Sequence, residues 1–133
     1  MPKRNKTIVN IHYSWDDIDY AVTNIVKQIK KDNLKFDGIF AVPRGGLILG
    51  AYLSNILNLP MLLAPTNDTL VTDDISDFGI TLTPIKHKKI ACIFTTPWTT
   101  VIPDYYCFTK SLKNTWIVMP YEVLNNSKRR NTS

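Results

Sequence analysis

Apolar residues recur along this chain in two rhythms. From Ser14 onward, Ile18, Ala21, Val22, Ile25 and Ile29 fall at helical spacing and give one apolar face. Ser14 and Asp17 have the spacing of a capping box, and Asp16 and Asp17 suit the positive end of a helix. Lys27, Lys30 and Lys31 gather near the other end, so the pattern predicts an amphipathic helix that covers a core and ends near Asn33. Leu47 to Leu57 is apolar nearly all round, with Asn55 the exception. It predicts a helix buried against a sheet and ending at Asn58, before Pro60.

The second rhythm is a series of short apolar runs bounded by turn residues: Phe36 to Pro43, Met61 to Ala64, Leu70 to Thr72, Lys89 to Phe94 and Trp116 to Met119. Such runs suit strands buried on both faces, as in a parallel sheet. Ile8, Val9 and Ile11 predict a further short strand or packed arm. Asp77 can cap a helix starting near Phe78, which Pro84 stops early. Pro97, Trp98 and Pro103 mark an irregular stretch. Strands alternating with helices define an α/β fold with a mostly parallel central sheet of about four to five strands flanked by helices. Crossovers in such a sheet are right-handed, and ligands gather at the C-terminal strand ends. There is no internal repeat. Residues 1–124 are expected to form a single domain, and the basic tail 125–133 lacks apolar residues and is expected to be disordered.

Composition adds limits. A chain of 133 residues can bury roughly two-thirds of its unfolded surface, so it needs no staple. The formal net charge of +5 suits anionic ligands. Much of it sits in Lys3-Arg4-Asn5-Lys6 and Lys128-Arg129-Arg130, and terminal runs of this kind are solvated tails rather than nucleic-acid sites. Cys92 and Cys107 have neither disulfide-scaffold nor zinc-ligand spacing. His12 and His87 read as surface residues. No signal peptide or bilayer-length apolar run is present, so a soluble cytoplasmic protein with no membrane partner is expected.

Two stretches carry candidate chemistry. Arg44-Gly45-Gly46 follows a strand. Its glycines let backbone approach a ligand closely, and its arginine offers a planar fork to phosphate oxygens. The same tripeptide also fits a plain strand-to-helix turn. The second stretch runs from Thr69 to Leu82 and holds Asp73, Asp74 and Asp77, with no basic residue between them. Neighbouring carboxylates disfavour one another's charge unless a cation or hydroxyl donors intervene, so the cluster points to a ligand rather than a solvated strand end. Acidic groups beside free backbone N–H groups can hold a sugar or metal together with a phosphate.

Three segments carry a family resemblance. Val71-Thr72-Asp73-Asp74-Ile75-Ser76-Asp77-Phe78-Gly79-Ile80-Thr81-Leu82 resembles the phosphoribosyl-pyrophosphate signature of the type I phosphoribosyltransferases. Ala41-Val42-Pro43-Arg44-Gly45-Gly46-Leu47 resembles their pyrophosphate loop. Pro103-Asp104-Tyr105-Tyr106 with Trp116-Ile117-Val118-Met119-Pro120-Tyr121-Glu122 resembles the base-binding end of the purine branch, closest to the xanthine-guanine and hypoxanthine enzymes. The resemblance implies that fold, with a small base-binding hood from the terminal segments. It also implies transfer of a phosphoribosyl group from phosphoribosyl pyrophosphate to a purine base. Asp73 and Asp74 would hold the ribose hydroxyls, directly or through magnesium. The backbone from Ser76 through Phe78, Gly79 and Ile80 to Thr81, with the Thr81 hydroxyl, would cradle the 5′-phosphate, and Ile75 would join the substrate-binding segment. Asp77 would face the purine near N7 and, as a catalytic residue with Asp73 and Asp74, assist proton movement there. Arg44, Gly45 and Gly46 would bind pyrophosphate, across a peptide entering Gly45 that is often cis in the family. Trp116 would stack on the purine, and the Ile117 backbone would read its edge. A homo-oligomer, dimer or tetramer, is implied as well.

The chain also departs from the family. Phe78 replaces a threonine of the phosphate cradle, and Thr96 falls where a lysine reads the purine 6-oxo group. Only Pro65 to Asp68 fills the place of a long mobile loop that covers the site. Two functions follow: a purine phosphoribosyltransferase of shortened form, or a non-catalytic binder of phosphoribosyl pyrophosphate or nucleotide that keeps the fold.

Overall fold

Ser14 caps its helix as its spacing predicts. Its hydroxyl accepts from the Asp17 N–H at 3.1 Å, and the Asp17 carboxylate accepts from the Ser14 N–H at 2.8 Å. The computed structural model of the chain describes residues 7–122, so the basic stretch Lys3-Arg4-Asn5-Lys6 and the tail at 125–133 lie outside the described residues. In chain order the elements are β1 (Val9–His12), α1 (Trp15–Asp32), β2 (Gly38–Ala41), α2 (Gly46–Leu57), β3 (Thr69–Ser76), β4 (Lys89–Thr95), β5 (Tyr105–Thr109) and β6 (Thr115–Val118). Strands β2, β3, β4 and β5 pair in that order, all parallel, and β1 pairs in parallel with β6 as a separate ribbon.

Alternation along the strands sorts side chains onto the two sheet faces. Leu70, Ala91 and Ile93 join Ile18, Val22, Ile25 of α1 and Leu49, Leu53 of α2 in the main core. Val71, Ile90 and Cys92 face the other way, against Val42, Leu82 and Val101. Helices therefore cover one face, and irregular chain covers the other. Among the described residues no helix is long and apolar enough to cross a membrane.

The structure departs from the expected elements in four places. Met61 to Ala64 makes only a single bridge, Ile39 to Met61. Leu63 is fully exposed and Pro65 has no N–H, so neither packing nor hydrogen bonding continues the pairing. β3 does not end at its carboxylates: Asp73 pairs with Cys92 and Ile75 with Phe94. No α-helix follows Asp77. Gly79 takes a left-handed φ of 85°, and only a 3-10 turn forms at Thr83–Ile85. Ile80, Thr81 and Thr83 are β-branched, and Pro84 ends what little helix could start. Finally, Tyr105–Thr109 is a strand on the sheet edge, although it reads in sequence as the end of an irregular stretch.

Candidate functional site at the C-terminal strand ends

The C-terminal ends of β2, β3, β4 and β5 present Arg44-Gly45, the Asp73–Asp77 segment, Thr96 and Lys110 on one edge of the sheet. This is where a parallel sheet places its ligands. The loop after β2 is bound to β3: the Val42 N–H donates to the Thr72 carbonyl at 2.9 Å, and the Thr72 hydroxyl donates to the Gly46 carbonyl at 2.9 Å. A Cβ on Gly46 would run into the Thr72 carbonyl, and one on Gly45 would lie 2.6 Å from Asp74 Oδ1. Only glycine allows this approach. The cis peptide lies between Pro43 and Arg44, one residue before the expected position. The Arg44 side chain is exposed.

Asp73 is 8% exposed, and its Oδ1 accepts from the Asp74 N–H at 2.8 Å. Asp74 Oδ1 in turn accepts from the Ile75 N–H at 2.8 Å. Among the described residues neither carboxylate forms an ion pair. Burial, then the neighbouring charge of Asp74, pushes the Asp73 carboxyl up to about 8. Burial, then the charges of Asp74, Glu122 and Asp73, raise the Tyr121 phenol, whose buried hydroxyl has no hydrogen-bond partner among the described residues.

The segment 76–81 wraps round Thr99–Val101. The buried Ser76 hydroxyl donates to the Val101 carbonyl at 2.5 Å and lies 2.9 Å from Thr99 Oγ1. The Phe78 carbonyl accepts from the Thr100 N–H at 3.2 Å and from its hydroxyl at 2.9 Å. Gly79 sits against Thr100 where a Cβ would lie 2.6 Å from the hydroxyl. Phe78, Ile80 and Thr81 are exposed, and Ile75 packs half-buried on the core.

Beside this turn is a cavity of about 140 Å³ whose walls include Asp77, Phe78, Trp98, Lys110, Thr115 and Trp116. Trp116 comes from β6, so the β1–β6 ribbon forms one side. Ile117, next to it, pairs with Ile11. Asp77 Oδ1 accepts from the Trp98 indole N–H at 2.9 Å, and Oδ2 lies 3.3 Å from Lys110 Nζ. Lys113 sits 5.3 Å above the Trp98 ring. Thr96 is 4% exposed and its hydroxyl donates to the Asp77 carbonyl at 2.5 Å, which turns it to the turn's backbone. Trp98 and Lys110 escape a reading of the sequence. The aromatic run Tyr105–Phe108 was the available signal for a strand whose end delivers Lys110.

The short connection Pro65–Asp68 lies elsewhere. The Thr66 hydroxyl donates to Asp37 at 2.7 Å, and the Asp37 N–H donates to the Asp68 carbonyl at 3.1 Å. Asp37 and Thr69 sit at the starts of β2 and β3, so this connection is at the opposite end of the strands from the carboxylates.

Parallel sheet, glycine-bound loop, acidic strand end and terminal hood together define the type I phosphoribosyltransferase fold. No protein-family model matches the chain. A xanthine-guanine phosphoribosyltransferase of Gluconobacter oxydans is 22% identical over 151 residues, covering 89% of each chain. That alignment is longer than the 133 residues here, so the relative carries segments this chain lacks. The crystal structure of a purine phosphoribosyltransferase from Pyrococcus horikoshii superposes with a TM-score of 0.75 at 28% identity, over 90% of this chain and 97% of that one. The xanthine-guanine-hypoxanthine phosphoribosyltransferase of Helicobacter pylori gives a TM-score of 0.73 at 21% identity, over 86% and 94%. The chain thus resembles the purine branch of the type I phosphoribosyltransferases, in shortened form, and shares their fold.

Proposed function

We propose that this chain transfers the 5-phosphoribosyl group of phosphoribosyl pyrophosphate to N9 of a 6-oxopurine, giving a nucleoside 5′-monophosphate and pyrophosphate. The observation that carries the reading is the packing of Gly45 against Asp74 beside a two-tryptophan cavity that holds Asp77. Donor, leaving group and base thereby have adjoining places on one sheet edge. Asp73 and Asp74 accept from the ribose hydroxyls, which favours the ionised form of the buried Asp73 carboxyl. The backbone of 76–81 binds the 5′-phosphate, Arg44 and Gly45 bind the departing pyrophosphate, and Trp116 stacks on the base. Asp77 faces N7 and holds a proton there. In-line placement and charge stabilisation on the leaving group are what this displacement needs.

Magnesium fits the donor set. Among the described residues no three His, Cys, Asp or Glu side chains converge, so a cation would have two carboxylates and take its other ligands from phosphate and water, as magnesium prefers. When bound, it supplies charge neutralisation to pyrophosphate. The reading takes residues 1–124 as one catalytic unit of a cytoplasmic homo-oligomer. A second reading, a non-catalytic nucleotide binder, draws on the Pro65–Asp68 connection, which is tied down far from the site.

One assay separates the two. Protein, phosphoribosyl pyrophosphate and magnesium are incubated with guanine, xanthine, hypoxanthine or adenine, and nucleotide is measured by chromatography. Nucleotide from at least one 6-oxopurine is expected. Donor binding without product from any base would leave only the binding reading.

A further inference from the structure

Lys110 is unusual for a lysine. Its side chain is 8% exposed, yet among the described residues its ammonium has a single partner, Asp77 Oδ2 at 3.3 Å. That distance is long for a charge-assisted hydrogen bond, which settles near 2.7–2.9 Å. An ammonium only donates, and burying one costs free energy unless its N–H groups find acceptors. Lys110 lines the cavity that Trp98 and Trp116 also line. Asp77 beside it is an acceptor, held by the Trp98 indole through its other oxygen. The Thr96 hydroxyl is committed to the Asp77 carbonyl and leaves this reading edge to the pair.

We propose that Lys110, delivered by the end of β5, is the specificity-determining residue of the base site, and that Lys110 and Asp77 together read a carbonyl next to an N–H on the edge of the bound purine. This rests on the phosphoribosyltransferase reading and names the group that sets its substrate class. A 6-oxopurine presents O6 as an acceptor beside N7, so O6 meets the donor-only lysine, while the N7–H tautomer of the free base meets the carboxylate; a nucleotide carries no proton at N7, so nucleotide binding reads the O6 contact. A 6-aminopurine presents N–H groups to the same ammonium, where no acceptor exists. A site built to hydrogen-bond one substrate group rejects the analogue lacking it, because a buried polar group is left unpaired. Trp98 is a positioning residue: its indole N–H holds Asp77 Oδ1, which turns Oδ2 toward Lys110.

The test measures binding of inosine 5′-monophosphate and adenosine 5′-monophosphate to the full chain by quenching of tryptophan fluorescence. Wild type is expected to prefer the 6-oxo nucleotide by at least about tenfold, the size of one hydrogen bond to a charged group. Lys110→Met keeps the buried stem and removes the donor. It is expected to weaken the 6-oxo nucleotide by about 10- to 100-fold and to erase the preference. Lys110→Gln can turn its amide carbonyl outward, so the gap should close from the adenine side as well. An unchanged ratio in either folded variant, or no preference in wild type, overturns the proposal. Should Lys110→Met fail to fold by circular dichroism, the Lys110→Gln ratio decides. Because binding needs no turnover, absence of product with every base would sink the catalytic reading alone. Product formed by Lys110→Met with undiminished 6-oxopurine selectivity would sink this inference alone.

Discussion

Gly45 stands so close to Asp74 that a Cβ on the glycine would lie 2.6 Å from a carboxylate oxygen. Residues far apart in sequence thus form one rim, with the loop's backbone laid against the acidic strand end. Gly45 has an ordinary helical φ of −59°, so alanine strains nothing locally and the Asp74 carboxylate alone must yield. Gly45→Ala is expected to keep its melting temperature and bind phosphoribosyl pyrophosphate at least about tenfold more weakly, at the cost of one charged hydrogen bond. Gly46→Ala meets backbone at the Thr72 carbonyl instead, and overpacking of this kind costs about 1–3 kcal/mol. Thermal melts and donor titrations on the two variants should therefore separate. Equal destabilisation in both would contradict the geometry.

Asp73 links stability to pH. Its carboxyl is raised from 3.8 to about 8 by burial and by Asp74. Between those values the folded chain holds a proton that the unfolded chain has lost, so stability contributed by this group falls as pH rises toward 8 and is flat above it. Melting of the free protein should drop across that window, and Asp73→Asn should flatten the drop. If Asp73 holds the ribose hydroxyls as proposed, donor binding would favour the ionised carboxylate, so affinity should rise over the same range. A donor affinity independent of pH between 5 and 8 would refute this linkage.

Trp98 holds Asp77 with its indole N–H, while its ring lies 6.4 Å from Phe78. Trp98→Phe retains an aromatic face and removes the donor. Loss of a hydrogen bond to a carboxylate is worth about 1.5–3 kcal/mol, so kcat/KM should fall by roughly 10- to 100-fold with little change in donor affinity. An equal loss in donor affinity would mean that the ring supports the fold rather than the carboxylate.

Trp116 reaches the cavity from the β1–β6 ribbon. Trp116→Ala should weaken base or nucleotide binding by about 1–3 kcal/mol, the range for one base stacked on an aromatic ring. Calorimetry with a purine nucleotide checks it, and full affinity in the variant would remove Trp116 from the stack.

The sequence by itself determined the helices and most strands, because their signals are local. Ser14 and Asp17 close a capping box within one turn, and the Ile18 to Ile29 stripe has a single period. It also determined the order of loop, acidic strand end and aromatic hood, since each motif is contiguous. The helix expected after Asp77 failed because capping by one aspartate does not outweigh Gly79, the β-branched residues and Pro84. The Met61 strand shrank to a bridge because strand pairing depends on a neighbour's edge and on packing, which a short apolar run does not specify. Only the tertiary structure decided what surrounds Asp77. Lys110 lies 33 residues along the chain and Trp98 lies 21, and a parallel sheet brings them together by stacking the ends of successive strands. That placement depends on register and crossover, which no local pattern encodes, and it puts a cation beside the third carboxylate where the sequence around it has none.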